Sequence, residues 1–379
     1  MKKTILIITM FLCVISFVSV KGMGNISAQS AVLIEQSTDT VVFSKNSDKK
    51  MKPASTTKIL TAICALEYGN LDDVVTVSKN AADQEGSSMY IEEGETITLE
   101  NLLYGLMLNS GNDAAVAIAE HISGNTAEFA KLMNKKAVEI GAKNCNFVTP
   151  NGLDDDNHYV TAKDLALITS YALDNEKFRE IVKTKTKVVT TEEGVKKYLT
   201  NHNKMLNMYN GCIGVKTGFT KASGRTLVTA SEKDGIIFVA VTLNAPDDWN
   251  DHVKMLNFGH ENASRTMIIN TTDVIGVASV IGGKSESVPL KCDKEYIGIK
   301  INGINNKYEV NYNINKLNAP VIANQKAGTA TVLRNGVKVF ETDLKTVKAV
   351  EKIKIIEEKN TFFKIFKRFC ELWWEYKST

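Results

Sequence analysis

The chain has 379 residues, of which 44% are hydrophobic and 23% are charged. This composition is that of a globular protein, and it excludes a disordered chain, a collagen-like fibre and a polytopic membrane protein. Three lysines are the only charges in the first 28 residues, so the rest of the chain carries 43 basic and 43 acidic side chains. That balance gives no overall attraction for nucleic acid, and no nucleic-acid partner is expected.

The first 28 residues have the pattern of a secretory signal peptide. Two lysines precede an apolar run over residues 5–20, and small residues follow up to Ala28. We expect cleavage after Ala28. An uncleaved anchor helix is the alternative, although the run is short for a membrane span. Both interpretations place the rest of the chain outside the cytoplasm.

The next segments, up to residue 263, mix strand-like and helix-like patterns. Residues 31–35 and 40–43 read as paired strands, and so do residues 227–230 and 236–243. Apolar periodicity predicts helices over residues 57–67, 99–108, 113–121, 161–173 and 248–262. These segments predict one mixed α/β (α+β) domain over residues 29–263.

From residue 264 the pattern changes to short β-like runs, separated by turn dipeptides such as Asn302-Gly303 and Asn335-Gly336. Runs of this length and spacing predict a small all-β domain over residues 264–352. It carries no catalytic cluster, and we expect it to act as a spacer.

Residues 353–379 end in an amphipathic pattern. Spacings of three and four predict a helix with one apolar face, formed by Phe362, Ile365, Phe366, Phe369, Trp373 and Tyr376. Rings on one side and cations on the others suit a helix lying in a membrane interface. The alternative is a helix docked on the protein's own core. The first interpretation predicts an exported protein held peripherally at the outer face of the cytoplasmic membrane.

Cysteine and histidine spacing does not indicate a metal centre. The five cysteines after the first 28 residues form no Cys-x-x-Cys pair, and the five histidines form no His-Glu-x-x-His motif. We expect no metal, no cofactor and mostly unpaired thiols.

Three short motifs carry the chemistry, in the order Ser55-Thr-Thr-Lys58, Ser110-Gly-Asn112 and Lys216-Thr-Gly218. Ser47-Asp-Lys-Lys50 also fits the first pattern, but it lies in a polar run, whereas Ser55 opens an apolar helix. The free N–H groups at a helix start favour developing negative charge. Lys58 lies one turn further on the same face.

These residue types suit nucleophilic catalysis by serine. The Ser55 hydroxyl is a poor nucleophile until a base removes its proton. Lys58 could be that base if burial and a second cation, Lys216, lowered its pKa. The Ser110 hydroxyl could pass a proton to the leaving amine, and Asn112 could hold the substrate amide and orient Lys58.

The three motifs together are typical of penicillin-binding proteins and class A β-lactamases. With Asn151-Gly-Leu-Asp154, the run from Gly214 to Thr220, the β-rich segment and the terminal helix, the chain resembles the D-alanyl-D-alanine carboxypeptidases, which are low-molecular-mass penicillin-binding proteins. The versions most similar are Gram-positive ones, including those of spore formation. The resemblance implies a serine β-lactamase/DD-peptidase-like fold for the first domain.

The resemblance also implies a reaction. Ser55 would attack the carbonyl between the two terminal D-alanines of a peptidoglycan stem pentapeptide, and water would then release the tetrapeptide. The backbone N–H groups of Ser55 and Phe219 would form the oxyanion hole, and Lys216 and Thr217 would hold the terminal carboxylate. A strand with the small Gly218 lets a substrate backbone lie alongside. β-Lactams would act as inhibitors that acylate Ser55.

The sequence departs from some relatives at Phe219, where they carry histidine after Lys-Thr-Gly. A backbone role survives this change, whereas a polar side-chain role does not.

Three other functions remain open at this point. A class A-like β-lactamase would need a Glu-x-x-x-Asn carboxylate between the second and third motifs, and none of Glu176, Glu180, Glu192 and Glu193 has asparagine four residues on. A non-catalytic penicillin-recognising sensor or scaffold would keep the same motifs. Transpeptidation or endopeptidase action would use the same acyl-enzyme.

Overall fold

A computed structural model describes residues 23–354 and 361–378, which form two compact units. The first unit comprises the residues up to Ser264 together with Ile299–Asn305. The second comprises Arg265–Gly298 and the residues from Asn306 onward. Most of the predicted signal peptide, residues 1–22, lies outside the described residues.

The first unit is built on a five-stranded antiparallel sheet with strand order β2-β1-β9-β8-β7. Its strands are β1 (Ser30–Glu35), β2 (Thr40–Lys45), β7 (Cys212–Thr220), β8 (Gly224–Lys233) and β9 (Ile236–Leu243), and two small hairpins pair β3 (Val74–Thr76) with β4 (Thr96–Thr98) and β5 (Thr186–Thr190) with β6 (Lys196–Thr200). The order leaves β7, which carries the third motif, at one edge of the sheet.

Helices surround this sheet. They are α1 (Lys58–Tyr68), α2 (Lys79–Ala82), α3 (Leu99–Leu108), α4 (Asn112–Ser123), α5 (Thr126–Ile140), α6 (Ala162–Ala172), α7 (Glu176–Lys183), α8 (Met205–Met208) and α9 (Asp248–Asn262). The Thr98 hydroxyl caps α3 at the Asn101 amide, and the Thr161 hydroxyl caps α6 at the Asp164 amide. The predicted helices and strands of this unit are therefore present.

Both faces of the sheet are buried, as β1 illustrates. Val32 and Ile34 pack into one hydrophobic cluster with α1, α3, α4 and α6. Ala31 and Leu33 point the other way into a second cluster with α9, which Ile299 also joins. The sequence analysis assigned residues 299–305 to the β-rich domain, but their apolar side chains belong to this second cluster.

The segment just before β1 is part of the first unit. Ile26 is buried in the second cluster. The Ser27 hydroxyl donates to Asp251 Oδ2 at 2.7 Å, and the Ala28 amide donates to the same oxygen at 3.0 Å. The expected cleavage point after Ala28 thus lies at the end of a segment that packs on the first unit, and cleavage itself stays a prediction.

The second unit is β-rich. Its strands are β11 (Gly276–Ile281), β12 (Ser287–Cys292), β14 (Tyr308–Ile314), β15 (Leu317–Asn318), β16 (Lys326–Arg334) and β17 (Val337–Thr346), together with β10 (Ala263–Ile269) and β13 (Tyr296–Ile301), each of which has residues in both units. Six of them form a sheet in the order β14-β16-β17-β12-β11-β15, and β10 pairs with β13. Alternate residues such as Ala278, Val288 and Leu344 form its core. The predicted fold class, a mixed α/β domain followed by a small all-β domain and a terminal helix, is confirmed.

The terminal helix is α10 (Thr361–Lys377), and its large apolar side chains are exposed. Across residues 23–354 and 361–378, no helix combines the length and the apolar character that crossing a membrane requires.

Candidate active site

Ser55 lies in a short 3-10 helix, Ala54–Thr57, that leads directly into α1. Its side chain is half-buried. Lys58 is the first residue of α1, and its Nζ lies 3.1 Å from Ser55 Oγ. The predicted placement of the two side chains on one face is therefore correct.

Lys58 is fully buried, and its amine has three hydrogen-bond partners. Nζ contacts Ser55 Oγ, Asn112 Oδ1 at 2.6 Å and the Asn151 carbonyl oxygen at 2.7 Å. Burial, and then the positive charge of Lys216, hold the pKa of Lys58 well below its usual range, although Asp113 opposes the shift. These are the two causes that the sequence analysis expected, and they favour a neutral amine that can accept a proton.

Ser110 and Asn112 lie where α3 ends and α4 begins. Ser110 has a positive φ of 60° and is buried, and its Oγ has no hydrogen-bond partner among the described residues. The structure therefore brings Ser110 to the site without bonding it to Lys58. The Asn112 amide group is fixed on its other side, since Nδ2 donates to the Glu85 carbonyl oxygen at 2.5 Å.

The loop of residues 84–91 covers this junction, and a buried carboxylate holds it. Asp113 accepts hydrogen bonds from the backbone amides of Met89 and Ile91 and from the Ser88 hydroxyl. Asp113 follows Asn112 directly, so its anchoring also fixes the second motif against the loop. This role of Asp113 is not apparent from the sequence.

The third motif lies on the edge strand β7. Lys216 is buried, its Nζ donates to the Thr217 carbonyl oxygen at 3.1 Å, and burial lowers the pKa of Lys216 to about 7. A Cβ added at Gly218 would come within 2.9 Å of the Ser55 backbone nitrogen. The β7 backbone thus lies against the Ser55 amide, as the expected oxyanion hole requires. The Phe219 side chain is exposed.

The turn that presents Ser55 is supported on both sides. The Thr226 hydroxyl of β8 donates to the Pro53 carbonyl oxygen at 3.0 Å. Gly152 has a φ of +84°, and a Cβ there would come within 2.0 Å of the Ala54 carbonyl oxygen. Position 152 therefore requires glycine, both because φ is positive and because the Ala54 carbonyl oxygen leaves no room for a Cβ.

His158 is a structural member of the same region. Its Nδ1 accepts from the Val148 and Thr149 amides, so Nε2 carries the proton and donates to Thr57 Oγ1 at 2.9 Å. Burial lowers the pKa of His158 to about 4, which keeps the ring neutral. Its bonds fix Thr57, which directly precedes Lys58.

Two of the glutamates considered for a β-lactamase are bound elsewhere. Glu180 accepts from the Tyr104 hydroxyl at 2.6 Å and pairs with Lys177, and Glu193 accepts from Thr96. Within the described parts of the chain, no group of three or more histidine, cysteine, aspartate or glutamate side chains could hold a metal ion.

The assembled site has the parts of an acyl-transfer catalyst. It offers a hydroxyl beside a buried amine, a second buried amine, and a strand edge that can align a peptide backbone. Asn151 was noted in the sequence only as part of the family pattern. Its contact with Lys58 uses a backbone carbonyl, which residue type does not indicate.

Comparison with known proteins agrees with this geometry. The family described as D-alanyl-D-alanine carboxypeptidase matches residues 17–247, and the C-terminal domain of penicillin-binding protein 5 matches residues 265–352. The D-alanyl-D-alanine carboxypeptidase DacF of Bacillus subtilis is 33% identical, with 92% of this chain and 91% of that protein covered.

Solved structures give the same result. Penicillin-binding protein 5 from Haemophilus influenzae has a TM-score of 0.64 at 28% identity, covering 87% of this chain and 99% of its own. The Streptomyces K15 DD-transpeptidase has a TM-score of 0.59 at 32% identity, covering 62% and 98%. A family match over more than half of the chain, and a relative aligned along nearly all of it, show that this chain belongs to the D-alanyl-D-alanine carboxypeptidase family.

Proposed function

We propose that this chain is a serine DD-carboxypeptidase that removes the terminal D-alanine from peptidoglycan stem pentapeptides through an acyl-enzyme on Ser55. The observation that carries the proposal is the 3.1 Å contact between Ser55 Oγ and the buried Nζ of Lys58. Family membership supports the substrate class, and the contact supports Ser55 as the nucleophile and Lys58 as its base.

Acylation begins when neutral Lys58 takes the Ser55 proton and Ser55 Oγ bonds to the carbonyl carbon of the penultimate D-alanine. The N–H groups of Ser55 and Phe219 hold the developing oxyanion. As the C–N bond breaks, Lys58 gives its proton to Ser110 Oγ, and Ser110 gives its own to the leaving amine. The buried and unpartnered hydroxyl of Ser110 supports this relay.

Deacylation uses the same base. Water attacks the acyl carbon while Lys58 takes one of its protons, and that proton returns to Ser55 Oγ as the ester bond breaks. In the bound substrate, before D-alanine leaves, Lys216 and Thr217 hold the terminal carboxylate and Asn112 binds the substrate amide. A β-lactam follows the acylation path and leaves a covalent adduct on Ser55.

The test is D-alanine release from a diacyl-Lys-D-Ala-D-Ala peptide by the full chain and by its Ser55→Ala variant. We expect release by the parent and none by the variant. No release by a folded parent would overturn the carboxypeptidase assignment. In that case, transfer of the acyl group to an added amine acceptor would indicate a transpeptidase, and penicillin binding alone would indicate a sensor.

We also propose that the protein is exported and is held at the outer face of the cytoplasmic membrane by α10. The exposed apolar side chains of that helix support this placement, and the Lys377 ammonium lies 4.5 Å from the centre of the Trp373 ring. An exposed aromatic face on a helix is suited to a lipid interface.

Paired variants of α10 test the anchor. Phe366→Ser with Trp373→Ser removes rings from the predicted apolar face, whereas Phe363→Ser with Trp374→Ser removes rings outside it. We expect the first pair to release the protein from anionic lipid vesicles in a flotation assay and the second pair to release it much less. Equal retention of both would contradict the proposal.

A further inference from the structure

Three aromatic side chains stand out by their exposure in the first unit. Within its described residues, the most exposed aromatic side chains are Tyr90 at 77%, Tyr198 at 74% and Phe219 at 65%, and the next is Tyr68 at 44%. Phe219 follows the third motif directly, the loop of Tyr90 bonds to the second motif, and the hairpin of Tyr198 bonds to Asn109, the residue before that motif. Exposed rings on segments that adjoin catalytic motifs are candidates for a binding surface.

Tyr90 is directed outward by the loop that covers the second motif. The amides of Met89 and Ile91 on either side of it are bonded to Asp113, and both neighbours are buried. Tyr90 itself has a φ of +63°, which is unfavourable for a bulky residue. Because the loop also bonds to Asn112 through the Ser87 carbonyl oxygen at 2.7 Å, the exposed ring is held beside the cleft.

Tyr198 lies on the outer face of the β5–β6 hairpin, opposite Val188. Val189 and Leu199 on the other face are buried in the core, so the alternation of the hairpin fixes Tyr198 toward solvent. At the end of the hairpin, the Thr200 amide donates to Asn109 Oδ1 at 2.9 Å, one residue before Ser110.

The two segments are braced against each other. Lys197, next to Tyr198, donates from Nζ to the Tyr90 carbonyl oxygen and pairs with Glu95 at 2.9 Å. At the hairpin turn, Glu193 accepts from the Thr96 amide at 3.0 Å. The backbone segments that carry the two rings are therefore joined, and little backbone freedom is lost when a ligand binds there.

The surroundings of Tyr198 indicate what binds there. The outer-face positions of the hairpin beside Val188 and Tyr198 are Thr186, Thr190, Lys196 and Thr200. One ring among hydroxyls and a cation is unlike the dry apolar core of a protein interface. It suits a sugar, whose C–H groups lie against the negative face of an aromatic ring while its hydroxyls bond to polar neighbours.

We propose that Tyr90 and Tyr198 form a carbohydrate-binding rim that holds the glycan strand of the polymer whose stem peptide enters the cleft. The proposal rests on the proposed function, because the cleft adjoining the rim is what identifies the polymer. A rim that binds the glycan makes polymeric peptidoglycan a better substrate than a free peptide with the sequence of the stem.

The first test is binding of the full chain to glycan strands from which an amidase has removed the stem peptides. We expect Tyr90→Ala with Tyr198→Ala to weaken the Kd about tenfold, and the matched Tyr→Phe pair to bind as the parent does. Val138→Ala, an exposed apolar truncation on α5, serves as a surface control. Unchanged binding by the Ala pair would overturn the proposal.

The second test compares two substrates with the same variants. The Ala pair should release D-alanine from a soluble tripeptide at the parental rate, but about tenfold more slowly from pentapeptide-rich sacculi at limiting concentration. Equal loss on both substrates would place the rings in the peptide site and overturn the glycan assignment. Absence of release by the parent would instead be a failure of the proposed function, so the two failures are distinguishable. Fluorescent-penicillin labelling of each variant checks that the site is folded.

Discussion

Lys58 and Lys216 are both buried, and burial lowers the pKa of each. For Lys58 the low pKa follows from burial first and from Lys216 second. Arginine cannot give up its proton at accessible pH, whereas lysine can. The role of Lys58 as the base and that of Lys216 as the group that binds the carboxylate can therefore be tested by substitution at each lysine.

At Lys58 we expect Lys58→Arg to keep the charge and lose acylation. A guanidinium cannot accept the Ser55 proton, so fluorescent penicillin should label the variant at least a hundredfold more slowly, the loss typical of removing a general base. The measurement is the labelling rate at fixed penicillin concentration. Parental labelling would mean that Lys58 is not the base.

At Lys216 the pKa of about 7 predicts a pH dependence of substrate binding. The ammonium that would hold the substrate carboxylate is mostly charged at pH 6 and mostly neutral at pH 8, so KM should rise about tenfold over this range. Lys216→Arg keeps its charge and should remove the rise. A KM that is constant in the parent, or that rises equally in the variant, would contradict this assignment.

Among the elements, the close approach of β7 to the 3-10 helix is the contact on which the site depends. At Gly218 an added Cβ would meet Thr226 Oγ1 at 2.4 Å and the Ser55 nitrogen at 2.9 Å. Gly218→Ala should therefore displace β7 from the Ser55 amide and slow penicillin acylation about a hundredfold, as loss of one oxyanion donor does. The measurement is the acylation rate, with thermal unfolding as the check on folding.

A double variant separates the two collisions at Gly218. Thr226→Ala removes this hydroxyl, together with its bond to the Pro53 carbonyl oxygen, but leaves the approach to the Ser55 amide, so Gly218→Ala with Thr226→Ala should remain slower than Thr226→Ala alone. Recovery of acylation in the double variant would show that the collision with Thr226, and not the one at Ser55, caused the loss.

The sequence was most informative where side chains repeat with the period of an element. The predicted helices over residues 99–108 and 248–262 coincide with α3 and α9, because their apolar positions and flanking residues bound them clearly. The β5–β6 hairpin and α5 were not predicted. The hairpin buries only a few alternate residues, such as Val189 and Leu199. An alternation this short does not predict a strand reliably when most of the neighbouring residues are polar.

For the site, residue types predicted the side-chain chemistry but not the backbone partners. The Ser55–Lys58 contact follows from helical spacing. The contact of Lys58 with the Asn151 carbonyl oxygen does not, because every residue carries a carbonyl. The role of Asp113 was also hidden, since a carboxylate that binds loop amides cannot be told from a solvated one until the loop is placed.

Over the whole molecule, the histidines are confined to the first unit, since all five lie between His121 and His260. Burial lowers the pKa of His158 to about 4 and that of His252 to about 3. In the unfolded chain these rings titrate near 6.5, so the unfolded state binds more protons as the pH falls from 6.5 toward 4. The free energy of unfolding should therefore decrease over this range.

Urea unfolding of the full chain at pH 7 and at pH 5, followed by circular dichroism, measures this effect. The parent should be less stable at pH 5, and His158→Gln with His252→Gln should show a smaller difference between the two pH values. An equal or larger difference in the variant would mean that other groups cause the acid sensitivity.

The account as a whole depends on Ser55 being the nucleophile. The most direct measurement is the mass of the full chain after reaction with penicillin, followed by peptide mapping of the adduct. The account predicts one penicilloyl group, carried on Ser55, and no adduct on the Ser55→Ala variant under the same conditions. An adduct on another residue, or undiminished acylation of Ser55→Ala, would contradict it.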